Sequence, residues 1–555
     1  MKGGRPPILW LAALLAICAV VDAPALQGGF VWDDTILVLK NQLTGDWRNL
    51  PAFFQVDLWS TVEASEGGTR TPFYRPMMLA SLLLDRTLYG LSPLGAHVHS
   101  LAWHLLTTAL VWRLLQGFVD DVRAATAGAA LFALHPMHLE LVAFIAARND
   151  AMAAAGVLGA LILLEPARAG PSQRVGAARL VGAGLCALFA LLSKESAALV
   201  VGLLLVVDLA RRGRPGGLRR YGALLAAVGV WLGLRSRVSL EQAGSASLSE
   251  ALAGGPAALA HYAEALLRPT SFEPAVYLQT DAPSWGWLGL AILALAGLTL
   301  ASTRARRPAA LAGLGVAGLS FAPALLGIHL SGLYSHRYAY LPMVGLALLA
   351  AAALDRPRAS EQRADLAVGA ALLVACALAL FSTRAAPIWS STTRFWTHNH
   401  EVNPGPLTAC PLFVEYALAD HPDRAEPLLR EALAGPVTPH CCFWASRFYF
   451  ERGRPELART WGEQALSVGC EASPELVAPL AMAEALACEW DSAEARMQPL
   501  SGDPYGYRPL VLSAAALRRG DGSVLASFSA ERGGARGAGS LDERVAFLLD
   551  QAGCD

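Results

Sequence analysis

Charged side chains are scarce in this sequence, and lysine is almost missing from it. Only 16% of the 555 residues are Asp, Glu, Lys or Arg, whereas 54% are hydrophobic. Lysine occurs only at Lys2, Lys40 and Lys194, so arginine carries nearly all of the positive charge. This composition excludes a disordered chain and indicates a protein that crosses a membrane several times. The net charge of −1 offers no general attraction for nucleic acid, so no nucleic-acid partner is expected.

The cysteines lack the spacing of a metal-binding motif. None of the nine forms a Cys-x-x-Cys pair or a Cys/His pattern typical of zinc. Cys18, Cys186 and Cys376 lie in apolar segments, where cysteine behaves as a small core residue. The others lie in the C-terminal third, and some are expected to pair if that part faces an oxidising compartment. They are Cys410, Cys441, Cys442, Cys470, Cys488 and Cys554.

Eleven apolar runs predict an all-α, polytopic helix bundle. Several are shorter than the roughly 20 residues that a helix needs to cross the hydrocarbon layer, so flanking residues must extend them. The first run follows Lys2 and Arg5 and precedes Ala-Pro-Ala at 23–25, which also fits a cleaved signal peptide. We interpret it as a first membrane helix and keep cleavage as the alternative. The runs are Ile8–Val21, Val98–Leu115, Ala124–Leu134, Ala151–Leu164, Ala177–Leu192, Ala197–Val207, Leu218–Leu234, Trp285–Leu300, Ala309–Leu326, Ala339–Leu354 and Leu366–Phe381.

The basic residues predict the orientation of these helices. Cytoplasmic loops carry an excess of Lys and Arg, which places the N-terminus in the cytoplasm. With eleven crossings, every arginine cluster is cytoplasmic and the C-terminal part is outside, in the periplasm of a bacterial inner membrane. This requires 257–267 to lie at the outer interface or to re-enter rather than cross. The clusters are Arg168 with Arg174, the arginines of 211–220, Arg304 with Arg306 and Arg307, and Arg356 with Arg358 and Arg363.

The same topology collects acids, histidines and single cations on the outer side, partly in a long loop, 28–93. This segregation predicts one polar site facing outward. Each motif also has a simpler interpretation: Asp33 and Asp34 as a solvated loop, Arg148 paired only with Asp150, or Lys194–Glu195 as an ion pair between helices. The motifs are Trp32–Asp34, Tyr74–Pro76, His135–Glu140, Arg148–Asp150, Lys194–Glu195 and His336–Tyr338.

These residue types suit transfer of a sugar from a phosphate to a hydroxyl. The reaction needs a base for the hydroxyl proton, cations for the leaving phosphate and a dry site that aligns the substrates. Asp33 and Asp34 are the candidate bases, and the candidate phosphate ligands are Arg75, Arg148, Lys194 and Arg337. Residues expected to orient substrate are Tyr74, His135, His138, Glu140, Asp150, Glu195 and Tyr338.

A divalent metal at His135, His138 and Glu140 is the alternative for that motif. Pro136 interrupts the helical spacing that would place these ligands on one face, so hydrogen bonding is the preferred interpretation. No cofactor is predicted with certainty.

From about Trp389 the composition is that of a soluble domain. Ala425–Leu433 and Ala458–Leu466 align 33 residues apart, and Ala493–Leu500 follows with one residue fewer. A period near 34 is typical of tetratricopeptide (TPR) helical hairpins; an unrelated helical domain is the alternative. We therefore predict a membrane domain at 1–388 and a TPR-like domain at 389–555.

In their order along the chain, these motifs resemble the transmembrane and tetratricopeptide-repeat O-mannosyltransferase-like family of C-class (GT-C) glycosyltransferases. The resemblance covers roughly residues 25–405 and includes Arg337–Pro342. It implies inverting transfer of a hexose, expected to be mannose, from a polyprenyl phosphate to a hydroxyl of a protein Ser or Thr or of a glycan. It also implies that Asp33 is the base and Asp34 assists. His336 stands where the family usually has an acid.

Two other functions fit parts of the sequence. A non-enzymatic, membrane-anchored TPR scaffold would need only the repeats. A transporter would carry polar groups within its spans, and Asp208 is the main example.

Overall fold

The computed structural model describes most of the chain and divides it into two compact units. One unit ends at Phe395 and the other begins at Trp396, a few residues after the predicted boundary. The residues described are 7–59, 73–165, 175–238, 248–269, 275–277, 284–304, 306–331, 333–355, 361–435, 439–467, 474–500, 506–524, 527 and 541–553. Arg168, Arg174, Arg356, Arg358 and most of Gly520–Ser540 lie outside them.

The first unit is built from α-helices, so the all-α prediction is confirmed for the described residues. One short antiparallel pair, β1 (Ala275–Tyr277) and β2 (Leu333–Ser335), is the exception in that part of the chain. The helices are α1 (Pro7–Asp22), α2 (Pro76–Tyr89), α3 (Pro93–Leu115), α4 (Val122–Ala133), α5 (Leu139–Ala143), α6 (Arg148–Leu164), α7 (Ala177–Ser193), α8 (Val200–Arg212), α9 (Leu218–Arg235), α10 (Leu248–Leu267), α11 (Ser284–Ser302), α12 (Arg307–Ser331), α13 (Tyr340–Leu354) and α14 (Glu361–Ala385). The boundary between the units falls within the next helix, α15 (Thr392–Val402).

Several of these helices can cross a membrane, so the chain is a multi-pass membrane protein. Within the described residues, five segments are long and apolar enough by themselves: 7–27, 145–164, 307–325, 336–354 and 365–390. Others, such as α4 and α7, are apolar but shorter. The count of eleven spans stays a prediction, because a short helix crosses only where flanking residues or a thinner bilayer make up its length.

Small residues let the helices approach closely at the centre of the bundle. A Cβ added at Gly345 on α13 would lie 2.4 Å from the carbonyl oxygen of Gly313 on α12, closer than atoms tolerate. At Gly156 on α6 it would lie 2.6 Å from the carbonyl oxygen of Cys186 on α7. Glycine therefore permits backbone contact at both crossings, which is how membrane helices gain packing energy without a hydrophobic driving force.

The arginine-rich end of the bundle contains structural ion pairs. Asp208 accepts hydrogen bonds from the Arg220 guanidinium at 2.7 Å, from the Tyr221 hydroxyl at 2.8 Å and from the Gly216 backbone at 2.9 Å. At the same end, Arg211 pairs with Glu165. Asp208 therefore anchors the turn between α8 and α9, and the feature that favoured a transporter has a structural explanation.

The second unit consists of successive helix pairs. The alanines that define the predicted repeat, Ala425, Ala432, Ala458, Ala465 and Ala493, are all buried between helices. Their small side chains allow the paired helices to pack closely, as a repeat array requires. The helices are α16 (Pro406–Leu418), α17 (Pro422–Ala432), α18 (Pro439–Phe450), α19 (Pro455–Ser467), α20 (Pro474–Leu486), α21 (Trp490–Met497), α22 (Tyr507–Arg518) and α23 (Leu541–Ala552).

The turn at the end of the first helix of each pair recurs in the same form. One residue there has a positive φ, and the next backbone N–H donates to a carbonyl five residues earlier, which is the Schellman arrangement. The left-handed residues are Asp420 (57°), Gly453 (64°), Cys488 (67°) and Gly520 (81°). The backbone N–H groups that follow them donate to carbonyl oxygens in four pairs: His421 to Tyr416, Arg454 to Tyr449, Glu489 to Glu484 and Asp521 to Ala516. The backbone thus repeats even where the sequence has no glycine.

Candidate active site

The Trp32–Asp34 loop follows α1 and is attached to the start of α6 by Asp34. Its carboxylate accepts hydrogen bonds from the backbone N–H groups of Ala146 at 2.7 Å, Ile145 at 3.2 Å and Val31 at 3.4 Å. Burial raises the pKa of Asp34 to about 7, against the opposing effect of these three donors. Asp34 is fully buried and positions the loop. It is therefore poorly placed to give the chemical assistance that the sequence analysis predicted.

Replacing Asp34 with alanine is expected to destabilise the protein rather than act on chemistry alone. The buried N–H groups of Ile145 and Ala146 would lose their acceptor, at a cost of about 1–3 kcal/mol each. Thermal unfolding of the detergent-solubilised protein measures this effect, with Asp46→Asn, which keeps an exposed helix cap, as the control. An unchanged unfolding temperature in Asp34→Ala would contradict the positioning role.

Trp32 holds this loop in a strained conformation. Its φ is 54°, a left-handed value that costs a non-glycine residue about 1–2 kcal/mol. The indole stacks between Phe144 and Phe395, with ring centroids 5.5 and 5.6 Å away. Its backbone N–H donates to the Thr392 hydroxyl at 3.1 Å. This aromatic stack stabilises the strained turn and sets the direction of the next residue, Asp33.

Asp33 has an available carboxylate. It keeps partial solvent access, and none of the described residues forms a hydrogen bond or ion pair with its side chain. Burial raises the pKa of Asp33 to about 6, although the charges of Arg337 and Arg75 act to lower it. A carboxylate near two cations but bonded to neither is free to accept a proton from a bound substrate.

Arg75 is oriented by Glu195. One carboxylate oxygen of Glu195 accepts from Arg75 Nε at 3.0 Å, and the other accepts from the Tyr74 backbone N–H at 2.7 Å. The Tyr74 hydroxyl donates to the carbonyl oxygen of Phe54 at 3.2 Å, and Tyr74 is fully buried. Glu195 and Tyr74 thus position the start of α2; Tyr74 has no exposed surface with which to contact a substrate, whereas Glu195 is half-buried.

Arg337 is oriented by Glu140, which is fully buried. Glu140 accepts from the Ser335 hydroxyl at 2.6 Å and from the Arg337 backbone N–H at 3.0 Å. Its carboxylate lies 3.7 Å from Arg337 Nε, and burial raises the pKa of Glu140 to about 6. The guanidinium lies 5.1 Å from the centre of the Phe144 ring, a cation–π distance.

Lys194 completes a group of three cations, which we call the cation cluster: Arg75, Lys194 and Arg337. Lys194 Nζ lies 2.5 Å from a carboxylate oxygen of Asp150 and 5.0 Å from the centre of the Tyr338 ring. Burial lowers its pKa to about 8, with Asp150 opposing the shift and the two arginines adding to it. Each cation thus has one acidic partner: Glu195, Asp150 or Glu140.

Arg148 was wrongly assigned from the sequence as a phosphate ligand. It is fully buried, pairs with Asp85 at 2.5 Å, and donates to the hydroxyls of Ser81 and Ser100 at 2.7 and 3.0 Å. A guanidinium with its donors engaged and no exposed surface cannot also bind a substrate. The simpler alternative, in which Arg148 pairs with Asp150, does not hold either, because Asp150 binds Lys194.

The histidines of the same motif lie in the interior. His135 accepts at Nδ1 from the Met137 backbone and faces the carbonyl of Leu266 with Nε2 at 3.1 Å. His138 is 1% exposed, packs on Phe132 and Tyr340, and has no hydrogen-bond partner for either nitrogen among the described residues. Neither reaches a substrate as placed, and they form no metal site with Glu140 in the described part of the chain.

Sequence reasoning missed the residues that support the site. Ser335 and Phe144 contact Glu140 and Arg337, but no charge, motif or spacing distinguishes either from a structural residue. Glu195 was predicted to orient substrate; its partner is Arg75, and not its neighbour Lys194 as in the simpler alternative.

No family model matches the chain, but several characterised proteins are similar to part of it. Protein O-mannosyl-transferase F38B6.6 of Caenorhabditis elegans is 28% identical over 232 residues, 41% of this chain and 32% of that protein. Protein O-mannosyl-transferase Tmtc1 of Drosophila melanogaster is 32% identical over 140 residues, which are 25% of this chain and 16% of that protein. Protein O-mannosyl-transferase TMTC3 of Mus musculus is 27% identical over 195 residues, which are 35% of this chain and 21% of that protein. The matches thus span a third or less of these relatives.

Two solved structures are also similar to the chain, and both are of ArnT from Cupriavidus metallidurans. The apo form is 18% identical, covers 85% of this chain and 80% of ArnT, and has a TM-score of 0.39. The form bound to undecaprenyl phosphate is 15% identical, covers 98% of this chain and 84% of ArnT, and has a TM-score of 0.38.

Proposed function

We propose that this chain, like the protein O-mannosyl-transferases it resembles, is a membrane glycosyltransferase that moves mannose from a polyprenyl phosphate to a hydroxyl acceptor. The observation that carries this proposal is the unpaired Asp33 carboxylate beside the cation cluster. A base next to several cations is what the transfer of a sugar from a phosphate requires. The names of the relatives support mannose as the sugar and a protein hydroxyl as the acceptor.

In the proposed reaction, Asp33 accepts the proton of the acceptor hydroxyl as its oxygen attacks the anomeric carbon. The bond from that carbon to the phosphate oxygen breaks, and its electrons stay on the phosphate. Attack opposite the leaving group inverts the anomeric centre. The cation cluster stabilises the charge that develops on the phosphate, and the arginines can bind it through two oxygens. Glu195, Asp150 and Glu140 orient the cations, so little reorganisation is needed during the reaction.

Transfer in proteoliposomes tests this function directly. The full-length protein is reconstituted with polyprenyl-phosphate mannose and a Ser/Thr-rich peptide, and mannosyl peptide is measured by mass spectrometry. We expect transfer from the mannosyl lipid and little from the glucosyl lipid. Absence of transfer from any polyprenyl-phosphate hexose, to peptide or glycan, would refute the proposal and favour the membrane-anchored scaffold.

The pH dependence of kcat/KM is expected to be bell-shaped. Asp33 must be deprotonated to act as a base, and its pKa is raised to about 6, so activity should fall as the pH drops through that value. Lys194 must be protonated to bind phosphate, and its pKa is lowered to about 8, so activity should fall again above it. Initial rates across this range measure both limbs. A Lys194→Arg variant should lose the alkaline limb; an unaltered profile would exclude Lys194 as its source.

We propose further that the cation cluster and the second unit lie outside the cytoplasm. The arginine-rich end of the bundle supports this orientation through the positive-inside rule. Cys488, in the second unit, is disulfide-bonded, which fits an oxidising compartment. Reporter fusions after Asp34, Arg148, Arg220 and Trp389 are expected to report outside, outside, inside and outside. A cytoplasmic signal after Trp389 would overturn the orientation.

The helix pairs of the second unit are proposed to bind the acceptor or a partner protein. Stacked helical repeats form extended surfaces suited to peptide segments. A variant truncated after Phe395 that still transfers mannose to a short peptide, but not to a folded acceptor, would support a role of the second unit in acceptor binding. Full transfer to both acceptors would argue against it.

A further inference from the structure

Three potential metal ligands meet inside the helix bundle, apart from the proposed active site. Cys18 and Asp22 lie four residues apart on α1 and therefore share one helix face. His104 projects from α3 towards them. Their ligand atoms all lie within 4.8 Å of one another, and all three side chains are buried. The thiol of Cys18 is 3.5 Å from a carboxylate oxygen of Asp22, which is 3.9 Å from His104 Nε2.

We propose that Cys18, Asp22 and His104 form a zinc site. Zinc takes thiolate, imidazole and carboxylate ligands at roughly 2.0–2.3 Å in tetrahedral geometry. Two ligand atoms on one tetrahedral ion are then roughly 3.3–3.6 Å apart. The thiol–carboxylate separation of 3.5 Å already has this value, and side-chain rotation must shorten the carboxylate–imidazole separation of 3.9 Å and bring all three atoms, now within 4.8 Å of one another, into the same range.

Charge balance in an apolar interior supports this assignment. Among the described residues, the one hydrogen bond to the Asp22 side chain comes from the Cys18 thiol, a weak donor. A carboxylate in that setting is costly to keep ionised. A zinc ion with one thiolate, one carboxylate and one neutral imidazole has no net charge. Binding releases the thiol proton, so the site should bind more tightly as the pH rises.

The surroundings of His104 resemble the outer shell of a metal site. Ligating histidines usually hold their second ring nitrogen in a hydrogen bond, which sets the tautomer. Here Nδ1 lies 2.9 Å from the Tyr340 hydroxyl at the start of α13. Nε2 also lies 3.1 Å from the Ala133 carbonyl, to which it donates when no metal is bound. With zinc bound at Nε2, the imidazole proton would move to Nδ1 and be donated to the Tyr340 hydroxyl oxygen, so the ligand stays neutral and the Ala133 carbonyl is left as a candidate fourth ligand.

The site would join α1 to α3 just before the chain enters the Trp32–Asp34 loop. Its role is therefore structural, and it does not depend on the proposed sugar transfer. Sequence analysis did not predict this site, because its ligands lie on two helices separated by a long loop and match no zinc motif.

Metal analysis of the full-length protein tests this proposal without any activity assay. The protein carries a tag without histidines and is purified in detergent without chelator. Elemental analysis should find about one zinc per chain in the wild type. Zinc should be lost from Cys18→Ser combined with Asp22→Asn, and retained in Cys186→Ser, which removes a cysteine from α7. Equal zinc in the wild type and the double variant would overturn the proposal.

Two further measurements keep the test valid if the double variant folds poorly. Wild-type protein grown with cobalt should show a thiolate-to-cobalt charge-transfer band in the near ultraviolet. Tyr340→Phe keeps the ring but loses the hydrogen bond to His104, and should weaken zinc binding about 10- to 100-fold. Wild-type protein that contains no zinc and shows no cobalt band would refute the site even if mannose transfer is intact.

Discussion

Replacing Asp33 with asparagine is expected to reduce mannose transfer by about 10²- to 10⁴-fold, the usual contribution of a general base. Asparagine keeps the size of the side chain but cannot accept the hydroxyl proton. No described residue depends on the Asp33 carboxylate for a hydrogen bond, so the fold should be retained. The loss should appear in kcat, because the acceptor still binds. Single-turnover rates with polyprenyl-phosphate mannose measure it.

Asp46→Asn is the matched control for this experiment. Asp46 is exposed in the same long loop and caps a helical turn, where asparagine caps equally well. The control should transfer mannose at the wild-type rate. If Asp33→Asn retained the wild-type kcat with an unchanged acid limb of the pH profile, Asp33 would be excluded as the base, whereas the cation cluster could still hold the donor.

Replacing Arg337 with glutamine is expected to have the next largest effect, a loss of about 10²- to 10³-fold in kcat. This is the typical cost of removing one group that stabilises developing charge. Among the described residues the Arg337 guanidinium forms no hydrogen bond, so it remains available to the leaving phosphate. Glu140 would keep its bonds to the Ser335 hydroxyl and to the residue 337 backbone, so the local structure should survive.

Two further variants define the role of Arg337. Arg337→Lys keeps the charge but loses the two-pronged geometry, so its rate should fall between those of wild type and Arg337→Gln. Arg48→Gln removes an exposed arginine from the long loop at 28–93 and should have no effect. A defect in Arg337→Gln that appears only in the KM for the acceptor would contradict phosphate stabilisation and assign Arg337 to acceptor binding.

The sequence predicted which residues lie near helix ends better than it predicted which residues they contact. Arg75 and Glu195 are 120 positions apart, and Lys194 and Asp150 are 44 apart, yet each pair is in contact. The motifs showed that these residues lie at the same ends of their helices. They did not show which way each side chain points, because that depends on how the helices rotate against one another. The simpler interpretations, which paired Lys194 with Glu195 and Arg148 with Asp150, fail for this reason.

Arg148 shows that the sequence also failed to predict how deeply a residue is buried. A lone arginine at a helix end has the same sequence signature whether it reaches a substrate or is buried. Packing of α2 and α3 around it placed Asp85, Ser81 and Ser100 within bonding distance and removed it from solvent. Asp33 and Asp34 differ similarly, because backbone N–H groups bind one carboxylate and leave the other available.

The sequence alone determined the helical class, and it predicted the division into a membrane part and a repeat part and the segregation of arginine from the acids and histidines. These features follow from composition and periodicity, which act locally along the chain. The tertiary structure alone decided which cations have acidic partners, which acid of the pair is unpaired, and that Cys18, Asp22 and His104 meet. Such contacts join residues far apart in sequence, and only the packing of one helix against another brings them within reach.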